Sequence, residues 1–258
     1  MCDRVFLIGD LHGDFRPIRD FYKRNSPDLD KTNNILICLG DFGANFFFNY
    51  RDEKFKEQLG KYPFTYFVVR GNHEERPSIC MEKNPKNWHT EEYFGNTVYV
   101  ENVYPYIKYA LDTVAFYDIN GYKTLSIPGA YSVDKYRRLT FNWSWFPQEQ
   151  LSEEEMAAGK QVIAEAGGVC DLVLSHTCPL MYEPTDLFLS FVDQSMVEKD
   201  MEYYLQEIEL DLDYKAWVWG HYHAFRDYPR EDGRFRTMLF NQEVLDLEEY
   251  MNGEINKL

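Results

Sequence analysis

The chain has 258 residues, of which 45% are hydrophobic and 27% are charged, a composition typical of a folded globular protein and unlike that of a disordered one. Its 43 acidic and 27 basic residues give a formal net charge of −16, which disfavours an extended DNA or RNA partner because like charges repel. A small anionic substrate is compatible with that charge, since bound metal ions or a local pair of arginines can hold one phosphate.

Cysteine usage and hydropathy bear on the compartment. The cysteines are odd in number and form no C-x-x-C pair, which argues against a disulfide framework and against a zinc knuckle. The N-terminus has no charged-then-apolar leader, and no apolar stretch approaches the roughly 18 residues of a membrane span. These features predict a cytoplasmic protein without a membrane partner, whose thiols are reduced: Cys2, Cys38, Cys80, Cys170 and Cys178.

Five short apolar runs predict β-strands. Near-continuous hydrophobicity suits strands that are covered on both faces, and each run ends at glycine or at a polar cluster. In chain order, the predicted strands are residues 5–8, 35–39, 64–69, 172–174 and 216–219.

Three helices are predicted between these strands. The first covers residues 15–24, where apolar side chains recur at helical spacing. The second begins with a capping box at Ser152, runs toward Ala166 and ends at Gly167. The third covers residues 197–208.

The sequence pattern in the middle of the chain differs from that of the five apolar runs. It predicts antiparallel strands at residues 97–100, 113–117 and 122–127. The pair Asn120-Gly121 is a hairpin signal between the last two. Residues 235–247 have a similar pattern. Because the chain contains no repeat, low-complexity tract or flexible linker, we expect one α/β domain spanning residues 1–258, with sheet layers flanked by helices.

Polar side chains that can bind metals follow each of the five apolar strands. The carboxyl ends of strands form the ligand-binding crevice of α/β sheets, so these side chains can converge on one site. Five of the six histidines occur there, and packing alone does not explain so many polar groups at the mouths of apolar strands. His89 is the exception and is expected at the surface. The residues are Asp10, His12, Asp41, Asn72, His73, His176, His221 and His223.

The number of these ligands predicts two metal ions. Leaving His73 aside, seven remain, too many for one tetrahedral or octahedral centre that must also hold water and substrate. A carboxylate shared between two ions resolves this excess. Nitrogen and oxygen ligands without thiolate indicate Mn, Fe or Zn.

Five ordered motifs, "GDLHG", "GDFG", "RGNHE", "LSHTCP" and "GHYH", extend from residue 9 to residue 223. Together they resemble those of the calcineurin-like metallophosphoesterases, including serine/threonine phosphatase-like members of bacterial or phage type. The resemblance implies a fold of two mixed β-sheets packed face to face between helices, a four-layer αββα sandwich. It also implies hydrolysis of a phosphate ester by a hydroxide that bridges two metal ions.

Residue by residue, the resemblance implies that Asp10, His12 and His223 hold the first metal ion. Asn72, His176 and His221 would hold the second ion, and Asp41 would bridge the two. His73 is similar to the residue that donates a proton to the leaving-group oxygen, with Asp10 or Glu74 as the group that orients it.

The substrate contacts are expected in a different segment. The second motif, "GDFGANF", lacks the phosphate-binding arginine of the serine/threonine phosphatase branch. The segment "GAYSVDKYRRL" at residues 129–139 resembles one found in some bacterial and phage members, so Tyr131, Arg137 or Arg138 is expected to contact phosphate. A solvated surface turn is the alternative. The aromatic groups at residues 46–48 and 143–146 predict core or lid packing, with a base-stacking wall as the alternative.

The leading hypothesis is a metal-dependent phosphomonoesterase that acts on a small phosphorylated substrate or a phosphoprotein. One alternative is a phosphodiesterase that cleaves a cyclic nucleotide or a dinucleotide. Another is a scaffold that keeps the fold and has lost the chemistry, although the complete ligand set disfavours it.

Overall fold

A computed structural model describes residues 4–190, 192–229, 232–255 and 258. Cys2 lies outside these residues, and the other four cysteines are free and buried. None of the helices within the described ranges combines the length and the hydrophobicity needed to cross a membrane.

The described residues form thirteen strands and seven α-helices. The strands are β1 Arg4–Ile8, β2 Asn34–Leu39, β3 Thr65–Val69, β4 Trp88–Tyr93, β5 Asn96–Glu101, β6 Ile107–Tyr109, β7 Ala115–Ile119, β8 Tyr122–Ile127, β9 Leu172–Ser175, β10 Ala216–Trp219, β11 Arg226–Asp227, β12 Phe235–Met238 and β13 Leu245–Asp246. The helices are α1 Arg16–Leu29, α2 Tyr50–Leu59, α3 Pro77–Lys83, α4 Lys135–Thr140, α5 Glu153–Glu165, α6 Asp200–Asp211 and α7 Leu247–Met251.

The strands form two mixed sheets. The first has the spatial order β13-β1-β2-β3-β6-β5-β4, and the second has the order β11-β12-β10-β9-β8-β7. Parallel pairs occupy the centres of both sheets, from β1 to β6 in the first and from β8 to β12 in the second. The antiparallel pairs lie at the edges, so the carboxyl ends of the central strands are collected at one edge of each sheet.

Alternate residues of each central strand enter different cores. Leu7 and Val218 point into the core between the two sheets. Phe6 packs outward with α1, α2 and α3, whereas Trp217 packs outward in the core that contains residues of α6. Burial on both faces explains why these strands are apolar throughout, and it produces the four layers that the resemblance implies.

Most of the predicted elements are present. The capping box forms at Ser152, which begins α5, and Asn120 and Gly121 both have the positive φ that a two-residue hairpin turn requires. The third predicted helix, expected from residue 197, begins at Asp200 and follows a 3₁₀ turn at Gln194–Met196. The prediction of antiparallel strands in residues 235–247 is confirmed for β12 beside β11 and for β13 beside β1, and β12 in addition pairs in parallel with β10.

Candidate metal centre

Both sheets contribute to one site. The first sheet places Asp10 and His12 after β1, Asp41 after β2, and Asn72 and His73 after β3. The second sheet places His176 after β9, and His221 and His223 after β10. The convergence predicted from the sequence therefore occurs between two facing sheets rather than along the edge of one.

One cluster of ligand atoms is formed by Asp10, His12, Asp41 and His223, whose nearest ligand atoms all lie within 4.8 Å of one another. The Nε2 atoms of His12 and His223 are 2.8 Å apart. His12 Nε2 lies 3.7 Å from Asp41 Oδ2, and His223 Nε2 lies 3.9 Å from Asp10 Oδ1. Nitrogen and carboxylate lone pairs that face one point fit a transition-metal ion.

A second cluster surrounds His176, which is fully buried. His176 Nδ1 lies 2.7 Å from the Leu39 carbonyl oxygen and donates a hydrogen bond to it. When the ring is neutral, its Nε2 therefore carries a free lone pair. That Nε2 is 2.9 Å from Asn72 Oδ1 and 3.3 Å from Asp41 Oδ1. Three acceptors that face each other require a cation or an added proton between them.

His221 completes this second cluster. Its ring lies 5.0 Å from the His176 ring, centroid to centroid. Its backbone N–H donates to both carboxylate oxygens of Asp10, at 2.9 and 3.0 Å. Burial lowers the pKa of His221 well below its usual value, so the ring is neutral and able to bind a metal at pH 7.

Asp41 lies between the two clusters, with Oδ2 toward His12 and Oδ1 toward His176. Burial opposes the charge of this carboxylate, yet the histidines around it hold its pKa well below the usual value. Burial also opposes charge on His176, but the carboxylates of Asp41 and Asp10 raise its pKa to about 9. The buried carboxylates at the centre therefore attract positive charge. They stabilise a proton on His176, and they would stabilise bound metal cations in the same way.

The backbone at the ligands is unusual. His12, Asp41, His221 and His223 have φ values of 48°, 48°, 70° and 53°, and they are four of the eight non-glycine residues with positive φ in the described part of the chain. Such a conformation is costly for residues other than glycine, and it recurs at functional sites where surrounding structure enforces it.

Glycines of the motifs make room for ligands from neighbouring strands. A Cβ on Gly71 would lie 2.2 Å from Asp41 Oδ1, and a Cβ on Gly220 would lie 2.6 Å from Asp10 Oδ2. The glycine that precedes a ligand is therefore needed because a ligand of the adjacent strand occupies the space of its side chain.

Two supporting residues were not identified from the sequence. Asn72 Nδ2 donates to Ser132 Oγ at 2.9 Å, and Ser132 Oγ donates to Glu149 Oε2 at 2.6 Å. This chain turns the amide oxygen of Asn72 toward His176 and so toward the second cluster. Ser132 lies in the segment at residues 129–139, whose predicted substrate contacts are other residues, and Glu149 lies outside every motif, so no sequence signal marks either of them for this role.

His73 lies beside Asp41 and Arg138. Its backbone N–H donates to Asp41 Oδ1 at 2.8 Å, and its ring Nε2 accepts from the Arg138 guanidinium at 3.1 Å. Burial lowers the pKa of His73 to about 4, which makes the ring a neutral acceptor at pH 7. The resemblance implies Asp10 or Glu74 as the group that orients His73. In the structure Asp10 accepts from His221 N–H and Glu74 accepts from Gly71 N–H, whereas the hydrogen bonds of His73 involve Asp41 and Arg138.

The two arginines predicted to contact substrate lie in different surroundings. Arg138 is buried and is held by Asp134 and by the Ser144 carbonyl, and its guanidinium reaches His73. Arg137 is exposed, and its guanidinium lies 5.5 Å from the centre of the Trp143 ring, so a contact between Arg137 and phosphate stays a prediction. Successive residues of a helix point about 100° apart, so only one of the two arginines on α4 faces the site.

Tyr131 is buried, and it lines a cavity together with His221 and His223.

The aromatic groups at residues 46–48 and 143–146 pack against each other. The centre of the Phe46 ring lies 5.9 Å from that of Phe146 and 6.0 Å from that of His73. Trp143, in contrast, is exposed.

His89 is exposed on β4, as the sequence predicts. Its Nδ1 lies 2.6 Å from Asn102 Oδ1, at a position remote from the ligand clusters in the sheet order.

Several solved structures of low sequence identity are similar to this chain. A phosphopantetheinyl hydrolase from Mycobacterium tuberculosis is 14% identical, with 93% of this chain and 90% of that chain covered and a TM-score of 0.46. A dimetal phosphatase from Danio rerio is 10% identical, with 92% and 87% covered and a TM-score of 0.49. An archaeal phosphodiesterase is 10% identical, with 99% and 98% covered and a TM-score of 0.39. These similarities do not distinguish a phosphatase from a phosphodiesterase.

No protein with a curated description matches the chain significantly. The model of the family described as "Calcineurin-like phosphoesterase" matches residues 3–225, a range that contains all five motifs and every ligand of both clusters. With the two mixed sheets and the convergent ligands, this match shows that the chain belongs to the calcineurin-like phosphoesterase family.

Proposed function

We propose that this protein is a dinuclear metal-dependent phosphomonoesterase that acts on a small phosphorylated molecule or a phosphoprotein. The observation that carries the proposal is the position of Asp41, whose two carboxylate oxygens face two separate clusters of ligand atoms. His73 donates its backbone N–H to this carboxylate and accepts a hydrogen bond from Arg138, so a phosphate ester held at Asp41 would have both residues nearby.

The two clusters define the residues that would hold metal ions. Asp10, His12 and His223 with Asp41 would hold one ion, and Asn72, His176 and His221 with Asp41 would hold the other. Nitrogen and oxygen ligands without a thiolate favour Mn, Fe or Zn. When bound, such ions lower the pKa of water and offset the negative charge of the phosphoryl oxygens.

Arg138 supplies the positive charge that the second sequence motif lacks. Its guanidinium is fixed by Asp134 and Ser144, and guanidinium groups bind phosphoryl oxygens through paired hydrogen bonds. A monoester carries one more negative charge than a diester. A buried arginine beside the centre of an acidic protein therefore favours the monoester as substrate.

His73 would donate a proton to the leaving-group oxygen. The ring is neutral in the substrate-free protein, because burial lowers its pKa to about 4. A phosphate dianion next to the ring favours the protonated form and raises this pKa, so substrate binding itself would prepare the acid.

We also propose a cytoplasmic location. The support is the state of the cysteines, since the four in the described part of the chain are free and buried.

The test is the purified protein loaded with Mn²⁺ and supplied with 4-nitrophenyl phosphate or with bis(4-nitrophenyl) phosphate. We expect kcat/KM to be at least about tenfold higher for the monoester, because Arg138 and two cations match its larger charge. A preference of that size for the diester would contradict the proposal.

Metal analysis of the same samples gives an independent answer. We expect about two ions per chain, in agreement with the two ligand clusters. Protein that retains almost no metal after loading would instead favour a scaffold that binds partners without catalysis.

A further inference from the structure

A cavity of about 280 Å³ adjoins the metal centre. His221 and His223 form part of its wall, and the proposed function assigns these two histidines to different metal ions. A phosphate ester bound at the metals would therefore have the cavity beside its phosphate. Sites for drug-sized ligands occupy roughly 300–1,000 Å³, so a cavity of this size holds only one part of a substrate.

Much of the cavity wall is apolar. Its side chains include those of Val133, Leu187, Leu189, Val192 and Val197. Val133, Leu187 and Leu189 are 42%, 42% and 49% exposed, so these side chains are in contact with water. Apolar side chains grouped beside a site gain free energy when a ligand removes them from water, and an apolar ligand gains it as well.

Two glutamates of the wall are neutralised by lysines. Glu183 Oε2 lies 2.6 Å from Lys199 Nζ, and Glu198 Oε1 lies 3.2 Å from Lys135 Nζ. Each of these carboxylates therefore already has a cation beside it, and neither is free to attract a cationic ligand.

Glu202 is the third acidic residue of the wall, and it is buried. Its Oε1 accepts a hydrogen bond from the Thr177 hydroxyl at 2.7 Å, and its Oε2 has essentially no accessible surface. The Tyr222 hydroxyl lies 3.1 Å from Thr177 Oγ1, so it is also engaged within the protein. These polar groups are therefore not free to bind a ligand in the cavity.

The same two lysines lie close to aromatic rings of the wall. Lys199 Nζ is 5.1 Å from the centre of the Phe188 ring, and Lys135 Nζ is 5.2 Å from the centre of the Tyr131 ring. A cationic ligand would have to compete with these lysines for the rings and for the glutamates. The wall therefore disfavours a cation.

A second anionic group is disfavoured for a different reason. Within the described ranges, the lining of the cavity contains neither lysine nor arginine, and the two nearby lysines are held by the glutamates. A further phosphate, such as that of a polyphosphate chain, would place negative charge where no free cation compensates it. Only an uncharged group fits the charges of the wall.

We propose that this cavity is a subsite for a compact, uncharged apolar group on the alcohol part of the substrate. The proposal rests on the proposed function, because the phosphate of the same ester is placed at the metal centre. It narrows the substrate class to phosphate monoesters of apolar alcohols.

The experiment compares three phosphate monoesters of primary alcohols. The ester 3,3-dimethylbutyl phosphate carries a neutral tert-butyl group, phosphocholine carries a trimethylammonium group of nearly the same shape, and ethyl phosphate carries neither. For the Mn²⁺-loaded parent protein, we expect kcat/KM for the dimethylbutyl ester to exceed that for each of the other two by at least about tenfold.

The leaving groups do not explain such a preference. The positive charge of choline makes its hydroxyl group more acidic, so phosphocholine has the better leaving group of the two isosteric esters. A higher kcat/KM for phosphocholine would overturn the proposal and indicate a cationic ligand. A dimethylbutyl ester that is no better than ethyl phosphate would overturn it too, because the cavity would then not contact the substrate.

Leu189→Asp tests the wall itself. Leucine and aspartate are similar in size, and the residue is half exposed, so we expect the fold to tolerate the change. A carboxylate at this position opposes the neutral group and attracts the cationic one. The ratio of kcat/KM for the dimethylbutyl ester to kcat/KM for phosphocholine should fall at least about tenfold. Repulsion between the new carboxylate and the phosphate cancels in this ratio, since both esters carry the phosphate.

Met196→Asp is the matched control. Met196 is exposed on the 3₁₀ turn at Gln194–Met196 and lies outside the lining, so the variant adds the same charge without altering the wall. We expect the ratio to change less than about twofold, because solvent and salt screen an exposed charge. Equal falls in the two variants would overturn the subsite, since the effect would then come from net charge alone.

Failure of the proposed function would look different, because the metal-loaded parent would then hydrolyse none of the three esters. The esters would in that case be stable ligands for isothermal titration. Binding of the dimethylbutyl ester that is at least about tenfold tighter than that of ethyl phosphate, with the difference lost in Leu189→Asp, supports the subsite independently of catalysis. Equal binding of the two esters, or binding of neither, overturns it.

Discussion

The metal-facing residues and the cavity wall meet at His221 and His223, but they come from different kinds of backbone. The metal ligands follow directly after five central strands, on short turns. The cavity wall comes mainly from residues 131–133, 183–190 and 192–202, where 3₁₀ turns and irregular backbone predominate before α6 begins. The metal-facing region of the site therefore rests on regular β-sheet, whereas the cavity wall rests mostly on irregular backbone.

This difference separates chemistry from selectivity. The edges of two packed sheets hold each ligand within a small range of positions, as metal binding requires. Irregular segments tolerate changes of side chain and length more readily, so they are suited to define which substrate enters. Substitutions on the metal face should therefore abolish turnover of every substrate, whereas substitutions on the cavity wall should change substrate preference.

The largest effect is expected from Asp41→Asn, on the metal face. Loss of the shared negative charge should release metal and lower turnover about a thousandfold, because both clusters depend on this carboxylate. Metal content by mass spectrometry and turnover of 4-nitrophenyl phosphate measure the two effects. Asp20→Asn is the control, since Asp20 pairs with Arg19 at the surface of α1. Full metal content with parental turnover would contradict the role of Asp41.

His73→Ala should separate metal binding from proton transfer. The variant should keep about two metal ions, because the ligand atoms of both clusters come from other residues, and should lose about a hundredfold or more in kcat. The measurements are those used for Asp41→Asn. Turnover equal to that of the parent would remove the general-acid role.

Arg138→Ala tests whether a side chain from outside the strand ends, on the short helix α4, contributes to substrate binding. We expect kcat/KM for the monoester to fall about tenfold to a hundredfold, chiefly through KM, because the guanidinium holds the phosphate. Arg137→Ala is a closely matched control, since the neighbouring arginine stacks on Trp143. Similar losses in the two variants would mean that the guanidinium of Arg138 does not contact substrate.

The smallest effect concerns Glu202 and stability. Burial raises the pKa of this carboxyl to about 7 in the folded protein, from an ordinary value of 4.5. Between these pH values the folded state binds more protons than the unfolded state, so the free energy of unfolding falls as pH rises. Glutamine does not titrate, so Glu202→Gln removes this pH dependence. From pH 5 to pH 8 the free energy of unfolding of the variant should rise by at least about 1 kcal/mol relative to that of the parent.

Urea unfolding of the metal-free proteins at the two pH values checks this expectation. Glu207→Gln is the control, because Glu207 lies exposed on the same helix in an ion pair with Lys160. A difference between Glu202→Gln and the parent that does not change with pH would show that the carboxyl is not destabilised by burial.

Much of the site was predictable because its residues are adjacent to strongly apolar strands. Asp41 and His176 each follow a run in which every residue is buried, so their location at a strand end could be inferred from the sequence. The helix α2 and the strand β4 were missed. The burial pattern of β4 alternates poorly, and α2 buries the charged residues Asp52 and Lys56, so neither has a clear hydrophobic period.

By itself, the sequence determined the central strands, the ligand types and the motifs, because hydrophobic runs and short polar turns are local properties of the chain. Only the tertiary structure decided that Arg138 rather than Arg137 faces His73, that Ser132 and Glu149 orient Asn72, and that Glu202 lines a cavity. These outcomes depend on how distant segments pack against one another, and the side chains involved have no spacing that distinguishes them from ordinary surface residues.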